Sequence, residues 1–315
     1  MRNYLFITLL FLLIFLVGCN NQDDQSEQHE TQSKGDTISV TDSSKRTIDL
    51  EKSPEKIVAL SNGDVDIIYA LGHKVVGRPS GKTIVSEAKD ALEIGSNHSL
   101  DLEKITSLEP DLVLGNHPMN MKDIQAVEDI GAEMVLTSAN SVQDIQKQIS
   151  LFGDLLNKQD KAKQIVHKID NKRKEVKENT VEKKPRTLLI YGAPGTNMAA
   201  LPNSLSGNIL ELAGGINIAS DYPSLEMYPQ YAQLNTERII ESNPEIILLM
   251  THGNPEKVKE SLIKEMSQTA GWDELDAVKN NRLVILPSNL FGTNPGTKVI
   301  ESIDYLYDVL KNTRE

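Results

Sequence analysis

Six histidines and a single cysteine carry most of the metal-binding chemistry open to this 315-residue chain. One thiol can build neither an internal disulfide nor a multi-thiolate metal site, so any metal would be held by imidazole, thioether, phenol or carboxylate groups. His252 has the most suggestive setting. It follows the apolar run Ile246–Met250, which reads as a buried strand, and Gly253 behind it lets the backbone turn close to a bulky ligand. Ligands of open α/β sheets gather at the carboxyl ends of strands. The competing role for His252 is to cap a helix beginning near Pro255. His98 lies in a loop just before Asp101, a good N-cap. His117 also follows an apolar run and leads into Pro118, Met119 and Met121, so His117 or Met119 could serve in place of His98. His73 follows Gly72 and reads as a helix-end cap, His167 as a solvated residue on a helix, and His29 has no assigned role. A zinc or manganese site would need three or four of His73, His98, His117 and His252 to converge with a carboxylate.

Tyr222, Tyr228 and Tyr231 crowd one loop with Pro223 and Pro229, where their rings could stack on a flat ligand, reach a metal or simply pack. Arg78 and Lys82 follow a short apolar run and could pair with carboxylates of a ligand or remain solvated. No nucleotide-binding loop, HExxH pair or nucleophile elbow is present, and Gly192-Ala193-Pro194-Gly195 reads as a turn, so nothing marks an enzyme. A net charge of -12 excludes the basic footprint of a nucleic-acid binder.

The elements that must position these groups alternate between strand and helix. Apolar positions around Asp42–Lys45 predict a hairpin, Ile57–Leu60 a buried strand, Asp64–Leu71 a helix stopped by Gly72, and Val75–Gly77 another strand. From Ser141 to about Val181, apolar residues recur at helical spacing with no proline. This predicts one long helix, or two meeting near Lys158. Strand–helix alternation restarts at Thr187. An ungapped repeat aligns Asp101–Leu114 with Asn235–Leu248, each with an N-cap, a glutamate in the first turn (Glu103, Glu237), a proline closing the helix and then a strand. The expectation is an α/β fold of two Rossmann-like lobes with a ligand cleft between them. The lobes would be residues 37–140 and 183–315, joined by a rigid connecting helix at 141–182.

Arg2 and Asn3 precede the apolar run Tyr4–Val17, which is short for a membrane span and fits a signal peptide. Leu16-Val17-Gly18-Cys19 resembles a bacterial lipobox, which implies cleavage after residue 18 and a diacylated Cys19. Residues 19–36 are polar and acidic and read as a flexible tether to an extracytoplasmic membrane face.

Taken with Ser53-Pro54-Glu55-Lys56-Ile57-Val58-Ala59-Leu60 and the paired glutamate-bearing repeats, these features resemble the class III solute-binding proteins of ABC importers. That resemblance covers nearly the whole mature chain. It implies a monomer that binds haem, a ferric siderophore or cobalamin and delivers it to an ABC permease with its ATPase, with Glu103 and Glu237 docking on the permease. The stretches Ala213-Gly214-Gly215-Ile216-Asn217 and His252-Gly253-Asn254-Pro255-Glu256 are most similar to the haem-binding branch of the family in Gram-positive bacteria. In that branch the histidine of the second stretch is an axial iron ligand, and haem arrives freely or from an upstream donor protein. The opposing ligand there is a methionine shortly after Glu-Ile-Gly. Here Glu93-Ile94-Gly95 leads to His98, which implies axial ligation by His98 and His252.

Overall fold

A computed structural model describes residues 37–96, 98–179 and 183–313. The expected signal peptide, the lipidated Cys19 and the tether lie outside the described residues.

Strands β1 (Ile38–Thr41) and β2 (Thr47–Leu50) form the expected antiparallel hairpin. Its turn is held by buried Asp42, which accepts hydrogen bonds from the amide and hydroxyl of Ser44 at 2.8 and 2.6 Å. The first sheet is built from β3 (Ile57–Ala59), helix α1 (Asn62–Ala70), β4 (Gly77–Arg78), β5 (Leu92–Glu93), a two-strand hairpin β6 (Gly95–Ser96) and β7 (Ser99–Leu100), α2 (Leu102–Ser107), β8 (Leu112–Asn116), α3 (Ile124–Glu128) and β9 (Glu133–Thr137). Its order is β5-β4-β3-β8-β9 and every pairing is parallel.

The connecting region is a helical hairpin, α4 (Val142–Leu155) and α5 (Gln159–Glu178), in place of a single long helix. The chain reverses at Asn157, whose φ of 53° is left-handed. Gln146 near the start of α4 donates to Asp170 near the end of α5 at 2.8 Å, so the two helices run antiparallel. They meet closely at Gly153, where an added Cβ would stand 2.5 Å from that of Ala162. Helical periodicity persists across such a reversal because both helices bury the same kind of apolar stripe, and asparagine adopts the left-handed conformation without glycine's help.

The second sheet follows: β10 (Arg186–Ala193), β11 (Thr196–Ala200), α6 (Leu205–Leu212), β12 (Ile216–Asn217), β13 (Tyr231–Gln233), α7 (Thr236–Ser242), β14 (Ile246–Thr251), α8 (Pro255–Met266), α9 (Asp276–Lys279) and β15 (Leu283–Ile285). Helices α10 (Ser288–Phe291) and α11 (Val299–Asn312) end the described chain. The order is β13-β11-β10-β14-β15, with β12 beside the start of β10. Strands β10, β12, β14 and β15 are parallel, whereas β11 and β13 add an antiparallel edge.

The internal repeat survives as structure. Asp101 caps α2 by accepting the amide of Lys104, and Asn235 caps α7 by accepting that of Arg238. Both helices end on a left-handed residue before proline, Glu109 at φ 47° and Asn243 at φ 41°. The acid after each proline then ties its strand to the neighbouring one. Asp111 accepts the amides of Glu55 and Lys56, both at 2.8 Å, and Glu245 accepts that of Arg186 at 3.0 Å.

Strand alternation sorts the core. Val58, Val113 and Met134 face an outer core in the first lobe, and Leu188, Ile247 and Leu249 face one in the second. The opposite faces, Ile57, Leu112 and Leu114 with Leu189, Ile246 and Leu248, belong to one continuous core that runs through α4, α5 and α11. Burial on both faces is what parallel sheets require.

Within this core margin, Asp64 on α1 is wholly buried. Burial pushes its carboxyl up to about 7, although hydrogen bonds from Ser61, Gln148 and Thr137 oppose the rise. The folded state therefore holds this proton more tightly than the unfolded chain, whose carboxyl keeps its ordinary value of 3.8. This group makes the fold less stable as pH rises from about 4 to about 7, and the cost is fully present above that window. Asp64→Asn keeps an acceptor toward Gln148 without the buried charge. Chemical denaturation at pH 8 is expected to show a gain of up to about 4 kcal/mol, and the variant's pH profile between 4 and 7 should be flatter than that of the parent.

Candidate functional site

Because β3, β4, β5, β8 and β9 are parallel, their carboxyl ends share one edge, and the same holds for β10, β14 and β15 in the second sheet. These edges border a common space. Ala139 and Asn140, just past β9, line a cavity of about 170 Å³ together with Phe291–Asn294, past β15, and with Ser204, Gln230 and Tyr231. Among the described residues no arginine, lysine or carboxylate lines it; its polar groups are hydroxyls and amides.

His252 stands at this edge, immediately after β14, exposed, with its amide bonded to the Gly192 carbonyl at 2.8 Å. It does not cap α8. Asn254 does so, accepting the amide of Lys257, with Pro255 at the helix start. The His252 imidazole has no hydrogen-bond partner among the described residues, and Gly253 behind it has a φ of +100°. His98 is exposed in the turn of the β6–β7 hairpin that follows β5, and its carbonyl is reached by the Lys122 ammonium at 3.5 Å. His117, half-buried after β8 and joined to Pro118 by a cis peptide bond, lines a separate cavity of about 380 Å³ with Lys45, Thr137, Asp144, Lys147 and Gln148. Met119 and Met121 beyond it are 38% and 48% exposed. His73 donates its amide to Ile68 at the end of α1, as a helix-end residue should, and burial and Lys158 lower its pKa. Among the described residues, no three or more His, Cys, Asp or Glu converge to hold a metal ion, so the zinc or manganese reading lacks its ligand cluster.

The tyrosines separate. Tyr231 lies beside Tyr191, ring centroids 5.5 Å apart, and borders the interlobe cavity. Tyr228 is 51% exposed next to Met227, which is 79% exposed. Tyr222, in contrast, is buried in the second lobe with Leu201 and Ala232, under the Arg238 guanidinium at 5.3 Å. It shares a different cavity, of about 480 Å³, with Glu237. Burial pushes the phenols of Tyr222 and Tyr231 up to about 12. Both are therefore neutral at physiological pH in the ligand-free chain, and their rings offer surface for stacking. Sequence reasoning does not single out Tyr191 or Met227, since nothing in their spacing separates a strand-end or loop apolar residue from ordinary packing.

Arg78 does not serve as a partner for ligand carboxylates. It is buried, and its guanidinium N–H groups are spent within the first lobe on the carbonyls of Pro79, Gly81, Ala88 and Lys89 and on the Glu93 carboxylate at 2.9 Å. It staples the loops around β4 and β5. Lys82 is exposed and stays available. Glu103 and Glu237 are exposed in the first turns of α2 and α7.

Residues 57–290 match the family described as "Periplasmic binding protein". The chain is 29% identical to the high-affinity heme uptake system protein IsdE of Staphylococcus aureus (strain bovine RF122 / ET3-1) over 75% of its own length and 80% of that protein. It is similar to a crystal structure of an ABC transporter substrate-binding protein from Listeria monocytogenes EGD-e, with 30% identity, 83% of this chain and 100% of that one covered, and a TM-score of 0.72. It is also similar to S. aureus IsdE complexed with heme, with 28% identity, coverage of 81% and 98%, and a TM-score of 0.71.

The Arg78 geometry sets a direct expectation. Arg78→Lys cannot satisfy the same carbonyls and should lower stability by about 2 kcal/mol. Ligand affinity per folded molecule should stay unchanged, as measured by denaturation alongside titration.

Proposed function

We propose haem as the cargo of a chain that belongs to the periplasmic binding protein family and works, without enzymatic activity, as the extracytoplasmic solute-binding component of an ABC importer. The observation that carries this reading is His252. It is an exposed imidazole free of capping duty, at the carboxyl edge of a central strand whose parallel neighbour β15 leads into loops that line a cavity between the lobes. Imidazole is a common axial ligand of haem iron. His98, past the carboxyl end of β5, is the proposed ligand from the other lobe, with His117 or Met119 as alternatives. Paired imidazoles would give a closed six-coordinate iron. Tyr231 and Tyr228 supply aromatic surface for the porphyrin, and Lys82 a cation for a propionate. In this reading residues 1–18 are a lipoprotein signal peptide, Cys19 is the lipid anchor and 19–36 the tether.

A ferric siderophore or cobalamin on the same fold is the alternative. Ferric siderophores are commonly anionic, and among the described residues the interlobe cavity offers no arginine or lysine, while Arg78 is already engaged. The similarity to IsdE, the haem uptake protein of S. aureus, supports haem further.

Haemin titrated into the purified protein should give a sharp, shifted Soret band. His98→Ala and His252→Ala should each alter that spectrum, and the double variant should bind most weakly. An unaltered spectrum and affinity in the double variant would refute ligation by this pair and move the test to His117.

The permease-docking role is proposed for Glu103 and Glu237. The helix dipole alone favours an acid in each first turn, by about 0.3–1 kcal/mol. It does not account for the same exposed glutamate at the same repeat position in both lobes. Two matched anions would orient the encounter with a cationic permease surface and make it salt-sensitive. Glu103→Ala combined with Glu237→Ala should leave folding and haemin affinity near normal and abolish uptake in cells; normal uptake at native expression would contradict the role.

A further inference from the structure

At the interlobe cavity, which Asn294 lines, the lobes are joined by a chain of hydrogen bonds with a direction. It starts at the Gly296 amide, which can only donate and which donates to Asn294 Oδ1 at 2.9 Å. Asn294 must then present its Nδ2 outward, and it donates to Gln148 Oε1 at 2.8 Å. Gln148 in turn must present Nε2 to the first lobe, where it donates to Thr137 Oγ1 at 3.0 Å and to Asp64 Oδ1. The other oxygen of Asp64 accepts the Ser61 hydroxyl at 2.7 Å. Further along α1, Asp66 accepts both the amide and the hydroxyl of Thr297, at 2.7 and 2.6 Å. Residues 294–297 follow the last strand and helix α10 of the second lobe, whereas Asp64, Asp66 and Thr137 belong to the first. The approach is tight as well: a Cβ on Gly63 would stand 2.6 Å from Asn294, and one on Gly296 2.6 Å from Asp66.

We propose that this chain is a latch that sets the angle between the lobes, and that its polarity, dictated by the Gly296 amide, is what makes it hold. Amides can reverse donor and acceptor, but a backbone N–H cannot. Reversing any single link sets donor against donor, or acceptor against acceptor, at half-buried sites around Asn294 and at buried ones around Gln148 and Asp64, where the mismatch leaves a buried polar group unsatisfied. The helical hairpin α4–α5 supplies Gln148 but reverses at Asn157, so the polar chain adds a direct tie that the connection alone lacks.

The same logic places any proton of Asp64 on Oδ2. There the Ser61 hydroxyl can turn from donor to acceptor, and Oδ1 stays an acceptor for Gln148. Among the described residues no charged side chain bonds Asp64 directly. Ionisable groups around the network include Lys45, Asp42, His117, Asp144 and Lys147, which share a cavity with Thr137 and Gln148, and Lys298 and Glu301, which act on Asp66. The latch therefore survives protonation of Asp64.

Direction can be tested by reversing it. Asn294→Asp still accepts from Gly296 but turns a carboxylate toward Gln148 Oε1. If the Gln148 amide then flips, its Oε1 meets the Asp64 carboxylate. Adding Asp64→Asn repairs the reversed chain, because the introduced side-chain amide can donate to the flipped Gln148 and accept from Ser61. Spin labels at Gln125→Cys on α3 and Glu260→Cys on α8, both exposed, in a chain carrying Cys19→Ser, report the interlobe distance without any ligand. The parent should give one narrow distance distribution at pH 8. Asn294→Asp should broaden and shift it, and the Asp64→Asn/Asn294→Asp pair should restore it. An unchanged distribution in Asn294→Asp, or a pair that stays as broad as the single variant, would overturn the latch. Should Asn294→Asp fail to fold, a folded pair with the parent distribution supports the proposal, and an unfolded pair refutes it. Haem binding enters neither arm, so failure here leaves the cargo reading standing.

Discussion

The direction of two central strands governs where every candidate ligand group lies. β8 and β14 each pair in parallel on both sides, so their carboxyl ends and those of their parallel neighbours reach the same edge. A parallel sheet needs both faces covered, and alternation of apolar residues along β8 and β14 supplies an outer and an inner core for each. The inner cores merge through α4, α5 and α11. That merging turns the two edges toward one space, and the loops past β9 and β15 line it together. His117, His252 and the hairpin bearing His98 all follow strands that end at this edge.

Much of this is legible in the chain because it rests on local chemistry. The repeat could be read from Asp101 and Asn235 as caps and from Pro110 and Pro244 as stops, and both features act through the nearest backbone groups. Asp111 and Glu245 were aligned by the repeat, but their bonds to the start of the neighbouring strand depend on sheet order, which local pattern does not give. Two helices meeting near Lys158 are one of the two readings that the periodicity allows, but the reversal of direction at Asn157 is not legible because both arms of the hairpin keep the same periodicity. Arg78 was legible as lying at a strand end; that its guanidinium would fold back onto Pro79, Ala88 and Lys89 was not. Tyr222 shares its loop with Tyr228 and Tyr231, yet tertiary packing sends it under Arg238 instead. Gln148 and Asn294 meet only because the chain returns to α1 after the last strand, and no short-range signal announces that.

The chemistry of the cleft follows from which charges have already been satisfied. Arg78 is consumed by its own lobe, and Tyr231 stacks beside Tyr191 to offer aromatic surface. What remains at the edge is an uncommitted imidazole past β14, an exposed hairpin histidine past β5, exposed methionines past β8, and a floor of hydroxyls and amides. Such an inventory suits a flat apolar ligand with a metal at its centre better than a polyanionic chelate, whose carboxylates would want clustered cations.

Competition dialysis compares the candidate cargoes on equal terms. The purified protein would be equilibrated at once with haemin, cobalamin and a ferric carboxylate siderophore, each present in excess, and the retained ligand identified by its absorption spectrum. A haem carrier should retain haemin alone, at one equivalent per chain. Retention of cobalamin or of the ferric siderophore, with haemin washed out, would contradict haem as the cargo.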